Sequence, residues 1–159
     1  MEAVRQVDHF LESLSLETTD LRVLEPRLVR ICHALDHLVQ LHHDLTSIPS
    51  AVTGWQAPIG FETGARALTA WFDSTKDPAA PADPAIFSAL EDASKQLSAE
   101  TETSRDKTLE GVAMQRVPIS TARAELETLA WADGALYHAW RLAESLRLAS
   151  GNPPVSLTR

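Results

Sequence analysis

Apolar residues recur at three- and four-residue spacing through most of the chain, and no stretch alternates as a half-buried strand would. The opening "EAVRQVDHFLESL" brings Val4, Val7, Phe10, Leu11 and Leu14 to one side of a short helix over about 2–14. A polar "SLETTD" follows. A second helix over about 22–48 then starts between Leu21 and Pro26, with the proline in a first turn where its missing N–H costs no hydrogen bond. Its regular seam, Leu28, Ile31, Leu35, Leu38, His42 and Leu45, predicts a stripe buried against partner helices, which makes His42 a core residue. By the same arithmetic His33, Asp36, His37, Gln40, His43 and Asp44 fall on the polar side.

"SIPSAVTGWQAPIG" reads as a loop leading into a third helix over about 58–75, with Phe61, Ala65, Leu68 and Phe72 as its face. The Pro-rich 76–83 links it to a helix over about 84–116, which Asp83 caps and Pro84 opens. That helix carries Ile86, Leu90, Ala93, Leu97, Leu109 and Val112, and its polar middle, "SAETETSRDK", is expected to face water. Gly111 and Pro118 bracket its end. Ser120 is the expected cap of a last helix over about 119–150, with Gly151 and Pro153 as stop signals. The last helix has Leu129, Leu136, Ala143 and Leu146 on one side and Trp131, Ala135 and Leu142 on another. A helix apolar over most of its circumference is either central or an interface, and Trp131, Ala135, Trp140 and Leu142 are the interface candidates. The pattern predicts one all-α domain over 1–159, a bundle of three long helices and two shorter ones without a solenoid repeat.

Composition narrows the function classes. Hydrophobic residues at 44% and charged ones at 23% are globular usage. A net charge of -8 opposes nucleic-acid binding, which relies on Lys and Arg against phosphates. Cys32 is alone, so there is no disulfide framework, and beside the seam it reads as a small hydrophobe. No apolar run approaches the roughly 20 residues that cross a bilayer, and "MEAVRQVDHF" lacks the marks of a signal peptide, so a cytoplasmic chain without membrane insertion is expected. Neither a G-x-S-x-G elbow nor a Gly-rich phosphate loop is present, and the reading is not an enzyme.

Two clusters could carry chemistry. His33 and His37 lie one helical turn apart with Asp36, Gln40 and Asp44 near, a donor set for a borderline cation if other helices add ligands. The simpler reading is the solvated face of an amphipathic helix. Histidine phosphotransfer would use His33, His37 or His43 as nucleophile, and nothing local selects one. On the last helix Asp133, Tyr137, His138, Arg141 and Glu144 form a second candidate group, in which Asp133 and Tyr137, one turn apart, adjoin the apolar face and need partners from neighbouring helices or a bound ion. His138, Trp131 and Leu142 also read as a packed aromatic cluster or an oligomer contact.

"VRICHALDHLVQLHHDL" and, much later, "RDKTLEGVAMQRVPISTARAELETLAWADGALYHAWRLAESL" resemble the PhoU-like helical domain at the cytoplasmic C-terminus of bacterial sodium/phosphate (Na/Pi) cotransporter-family proteins. The most specific elements are "HALDHL" at 33–38 and "DGALYHAWR" at 133–141. The resemblance implies an antiparallel bundle that regulates phosphate transport without turning over a substrate. Its partners would be the transporter's membrane segments or a transporter subunit, with a homodimer as a further possibility, at the cytoplasmic face of the inner membrane. PhoU proteins carry E/D-x-x-x-D motifs that bind metal. Asp36 and Gln40 fall on that motif in the second helix, Asp133 and Tyr137 in the last, with His138 following. Both second acids are missing, which leaves a single divalent ion such as zinc, iron or manganese, or a polar network without metal.

Overall fold

A computed structural model describes residues 21–52, 55–76 and 83–150. Four helices account for nearly all of them: α1 (Leu21–Thr46), α2 (Ile59–Ser74), α3 (Pro84–Ala113) and α4 (Ile119–Ala149), with a 3-10 turn at Ser50–Val52. Among the described residues there is no strand. The all-α expectation holds, and four of the five expected helices appear within about three residues of their predicted ends. The short helix expected over 2–14, most of the 76–83 linker, and the stop signals Gly151 and Pro153 lie outside the described residues.

Helix ends follow local chemistry. Asp83 caps α3 as expected, its carboxylate accepting from the Ala85 N–H at 2.9 Å, with Pro84 in the first position. The chain leaves α3 through Gln115, whose φ of 56° reverses direction, and the Gly111 carbonyl accepts from the N–H groups of Arg116 and Val117 at 2.8 and 3.2 Å. A Cβ on Gly111 would come within 2.8 Å of Val117 Cγ2, so a larger residue there would have to push the Val117 side chain aside. Ser120 is not the cap of α4. Pro118 occupies that position in extended geometry without a side-chain bond, its carbonyl accepting from Ala122 N–H at 3.0 Å. Pro26 falls in the second turn of α1, not its first, at the cost of one backbone hydrogen bond.

Helix α4 is the centre of the bundle and packs on each of the other three, whereas α1 packs extensively only on α4. Pairs along the α1–α4 contact run in opposite order, Arg27 with Ala149, His37 with His138, Asp44 with Trp131, so the two are antiparallel. Ala132, Ala135, Ala139 and Ala143 keep α4 slim enough for close approach, and Leu90, Leu97, Phe87, Trp71, Leu136 and Leu142 fill the core around it. Most of the apolar girth of α4 is therefore used within the chain, although Leu146 of the expected face is 40% exposed. The interface candidates Ala135 and Leu142 are buried in the monomer, and Trp131 and Trp140 pack half-buried against its core.

Two expected faces are corrected. On α2 the buried residues are Gly60, Gly64 and Trp71, with Phe61 and Leu68 half-buried, while Ala65 is exposed and Phe72 is 51% exposed. A Cβ on Gly60 would lie 2.6 Å from the Leu97 backbone nitrogen, and one on Gly64 would strike the Leu136 side chain. Backbone approach, which side-chain hydrophobicity does not record, sets this face. On α1 the inward residues are Ala34 and Leu41 with His37 and Asp44 beside them, whereas His42, Leu38 and Leu45 are exposed. The helix is turned by roughly 100° from the expected seam, about one residue's rotation. His42 is thus not a core histidine, and Cys32 is exposed rather than packed. The polar middle of α3 does face water for the most part, and Glu100 reaches back to accept from Gly60 N–H at 3.0 Å.

Candidate functional site

The rotation of α1 brings His37 against α4, where His138 waits one-third of the way from the helix's C-terminal end. Their Nδ1 atoms are 3.1 Å apart, and the ring centres are 5.4 Å apart with planes inclined by 40°. The centre separation exceeds the nitrogen separation by about two ring radii, so the two nitrogens point at one another. That is the geometry of an N–H···N hydrogen bond, one ring donating from Nδ1–H and the other accepting on its lone pair. Two protons cannot occupy the gap.

Tyr137 closes the cluster edge-on, its ring centre 6.0 Å from that of His37 and 5.3 Å from that of His138, and Trp140 stands 5.9 Å from Tyr137. The Arg141 guanidinium lies 5.3 Å above the Trp140 ring, while its Nε–H is buried without a hydrogen-bond partner. Burial, first, and then the neighbouring His138 and Arg141 hold the His37 pKa below its ordinary value; His33 adds slightly to this and Asp36 opposes it.

Of the residues singled out from the sequence, the fold brings together His37, Tyr137 and His138. His33, Asp36, Gln40 and His43 are exposed on the outer sides of α1, and Asp36 reaches the pair only through its charge. Asp133 is half-buried, and burial alone raises its pKa. Among the described residues no three His, Cys, Asp or Glu side chains come together as a metal site. Two imidazole nitrogens fill only half of a tetrahedral cation's shell, and the single-ion reading of Asp36, His33, His37, Asp133 and His138 finds no third ligand gathered at the pair among the described residues.

Sequence reasoning placed Asp44 on the wet side. Its carbonyl accepts from Trp131 Nε1–H at 2.8 Å, and its Oδ2 is buried without a partner opposite Gly134. The available signal was the spacing 34–37–41–44, itself a regular helical stripe with two polar members. An open cavity of about 490 Å³ lies between Ala51, Trp55, Gln56 and Pro58 and the α3–α4 hairpin. Among the described residues Glu125 is its only charged wall, and the cavity gathers no reactive cluster. No helix among the described residues is long and apolar enough to cross a membrane. No known family, curated protein or solved structure was found to match the chain.

Proposed function

We propose that this chain is a non-catalytic helical module that acts through contacts of its helix faces, in the PhoU-like role of regulating a phosphate transporter. The observation that carries the reading is the meeting of its two motif segments. "HALDHL" and "DGALYHAWR" lie about a hundred positions apart, and the hydrogen bond joining the α1 and α4 motifs uses one histidine from each. The cluster they form is suited to holding two helices in register. The non-catalytic reading is supported by the two histidines engaging each other instead of a neighbouring nucleophile.

Phosphate uptake in cells lacking the chain tests this. Loss of the response to external phosphate, restored by the wild-type chain, is the expected result. Uptake that responds identically with and without the chain would sink the transporter reading. Phosphate labelling of His37 or His138 by a kinase would instead place the chain among phosphotransfer proteins.

A further inference from the structure

The open cavity of about 490 Å³ beside the α3–α4 hairpin has the size of a small-ligand site. One wall is Trp55, whose half-buried ring belongs to a line of aromatics. Its centre is 5.6 Å from that of Phe61 in a T-shaped contact, and Phe61 lies 5.9 Å from Trp131. Trp131 is itself anchored through Nε1–H to the Asp44 carbonyl at 2.8 Å. The Trp55 ring is thus positioned by packing that the cavity does not supply, and a ring placed in advance costs little further ordering on binding. The hairpin contributes Ser104 from α3 and Thr121, Glu125 and Thr128 from α4. Their four- and three-residue spacing puts the three α4 residues on one face of that helix. Thr128 turns its hydroxyl back to the Ala124 carbonyl at 2.8 Å. The side chains of Gln56, Ser104, Thr121 and Glu125, by contrast, make no hydrogen bond or ion pair with any other described residue. The neighbouring Arg123 is engaged with Glu127 at 2.7 Å.

We propose that this cavity binds a small organic cation, an amine or quaternary ammonium ion, between the Trp55 ring and the Glu125 carboxylate. The lining selects this class. An anion would face Glu125 with no cationic lining residue, among those described, to offset it. A wholly apolar ligand would cover the polar groups of Gln56, Ser104 and Thr121 without giving them partners. A neutral polyol would serve those groups and leave the carboxylate's charge unanswered. A cation is attracted both by the carboxylate and by the face of tryptophan, the best aromatic partner for such an ion. The net charge of -8 favours its approach. Glu125 is exposed, so its pull is modest, and a dissociation constant of about 1–10 mM is expected for a simple ammonium ion. The inference does not depend on the transporter reading.

The test titrates choline chloride into the full isotope-labelled chain, with sodium chloride at matched ionic strength as the blank, and follows the assigned indole N–H signals by nuclear magnetic resonance. The Trp55 signal should move along a saturating curve while that of Trp71, buried in the core, stays in place. The uncharged isostere of choline, with carbon in place of the ammonium nitrogen, should bind at least about fivefold more weakly. Glu125→Gln should weaken choline binding about two- to fivefold. A Trp55 signal that shows no saturable movement by about 50 mM choline overturns the proposal. Equal affinity for the isostere also overturns it and makes the cavity a site for neutral ligands. A Glu125→Gln chain that binds choline as tightly as the wild type removes the carboxylate from the site and overturns it as well. The isostere comparison uses the wild-type chain alone, so it decides even where the variant fails to fold.

Discussion

On one flank of α4 the α2–α3 pair packs dry and close, with the Gly60 backbone against that of Leu97 and the Leu136 side chain over Gly64. On the other flank, among the residues of α1 whose burial is described, only Ala34 and Leu41 are buried apolar residues. Polar links accompany them: Arg27 Nε–H to the Ala149 carbonyl at 3.0 Å, the His37–His138 pair, and Trp131 Nε1–H to the Asp44 carbonyl. The two flanks use different physics. Apolar burial gives stability in proportion to area but is tolerant of sliding, while hydrogen bonds add only about 1 kcal/mol each and fix which residue faces which. The α2–α3 flank meets α4 mainly through apolar side chains and close glycines, and the α1 flank adds the polar links that set its register.

The largest expected difference comes from cutting the same side chain on each flank. Leu97 is fully buried among α2, α3 and α4, whereas Leu41 keeps 8% of its surface exposed at the α1 seam. Leu97→Ala should cost about 3–5 kcal/mol and Leu41→Ala about 2, near the low end of such truncations. Urea unfolding at neutral pH measures both. Equal losses would mean that α1 is as deeply integrated as the α2–α3 pair, and the contrast would fail.

Glycines sharpen the comparison at a smaller scale. A methyl on Gly60 would press on Leu97 backbone atoms at 2.6 and 2.8 Å, which cannot rotate away, so Gly60→Ala is expected to cost about 1–3 kcal/mol. Gly134 is also mid-helix, but its added methyl would meet only Asp44 Oδ2 at 3.6 Å, an ordinary contact. Gly134→Ala should therefore stabilise by about 0.4–1 kcal/mol through reduced chain entropy. The same urea unfolding measurement gives both signs, and a destabilised Gly134→Ala would show that the α1 flank is tighter than its polar links suggest.

Helix positions were legible because three-four spacing, Asp83-Pro84 and the proline-rich breaks act locally. Facing was not. The α1 sequence holds two regular stripes, one apolar through Leu28, Ile31, Leu35 and Leu38, the other mixed through Ala34, His37, Leu41 and Asp44. Hydrophobicity alone chooses the first. The fold uses the second because α4 offers His138 and the Trp131 N–H as partners for polar atoms there, a choice that depends on residues 87 and 101 positions away. His37, Tyr137 and His138 were in view as candidates, yet their meeting required the rotation that the pattern could not supply. On α2 the glycines were likewise invisible to a count of apolar carbon.

The smallest effect tests whether the α1 flank responds to protons. The His37 pKa lies below its ordinary value, chiefly through burial and then through His138 and Arg141, so the unfolded chain binds the proton more readily than the folded one. Its contribution to stability is whole above the ordinary histidine value of about 6.5 and is lost as pH falls from there to the lowered folded value. Asp133 acts in the opposite sense. Burial raises its pKa, so its contribution is present below the ordinary carboxylate range and is lost as pH rises through the raised folded value. Urea midpoints followed from pH 4 to 8 separate the two, because His37→Gln should remove a rise with pH near neutrality and Asp133→Asn should remove a fall on the acid side. A His37→Gln variant that keeps the wild-type slope just below the ordinary histidine value of about 6.5 would leave the paired histidines as a fixed link, insensitive to protons. Since the two slopes have opposite signs, each substitution is identified by the sign of the change it removes, even where the windows adjoin.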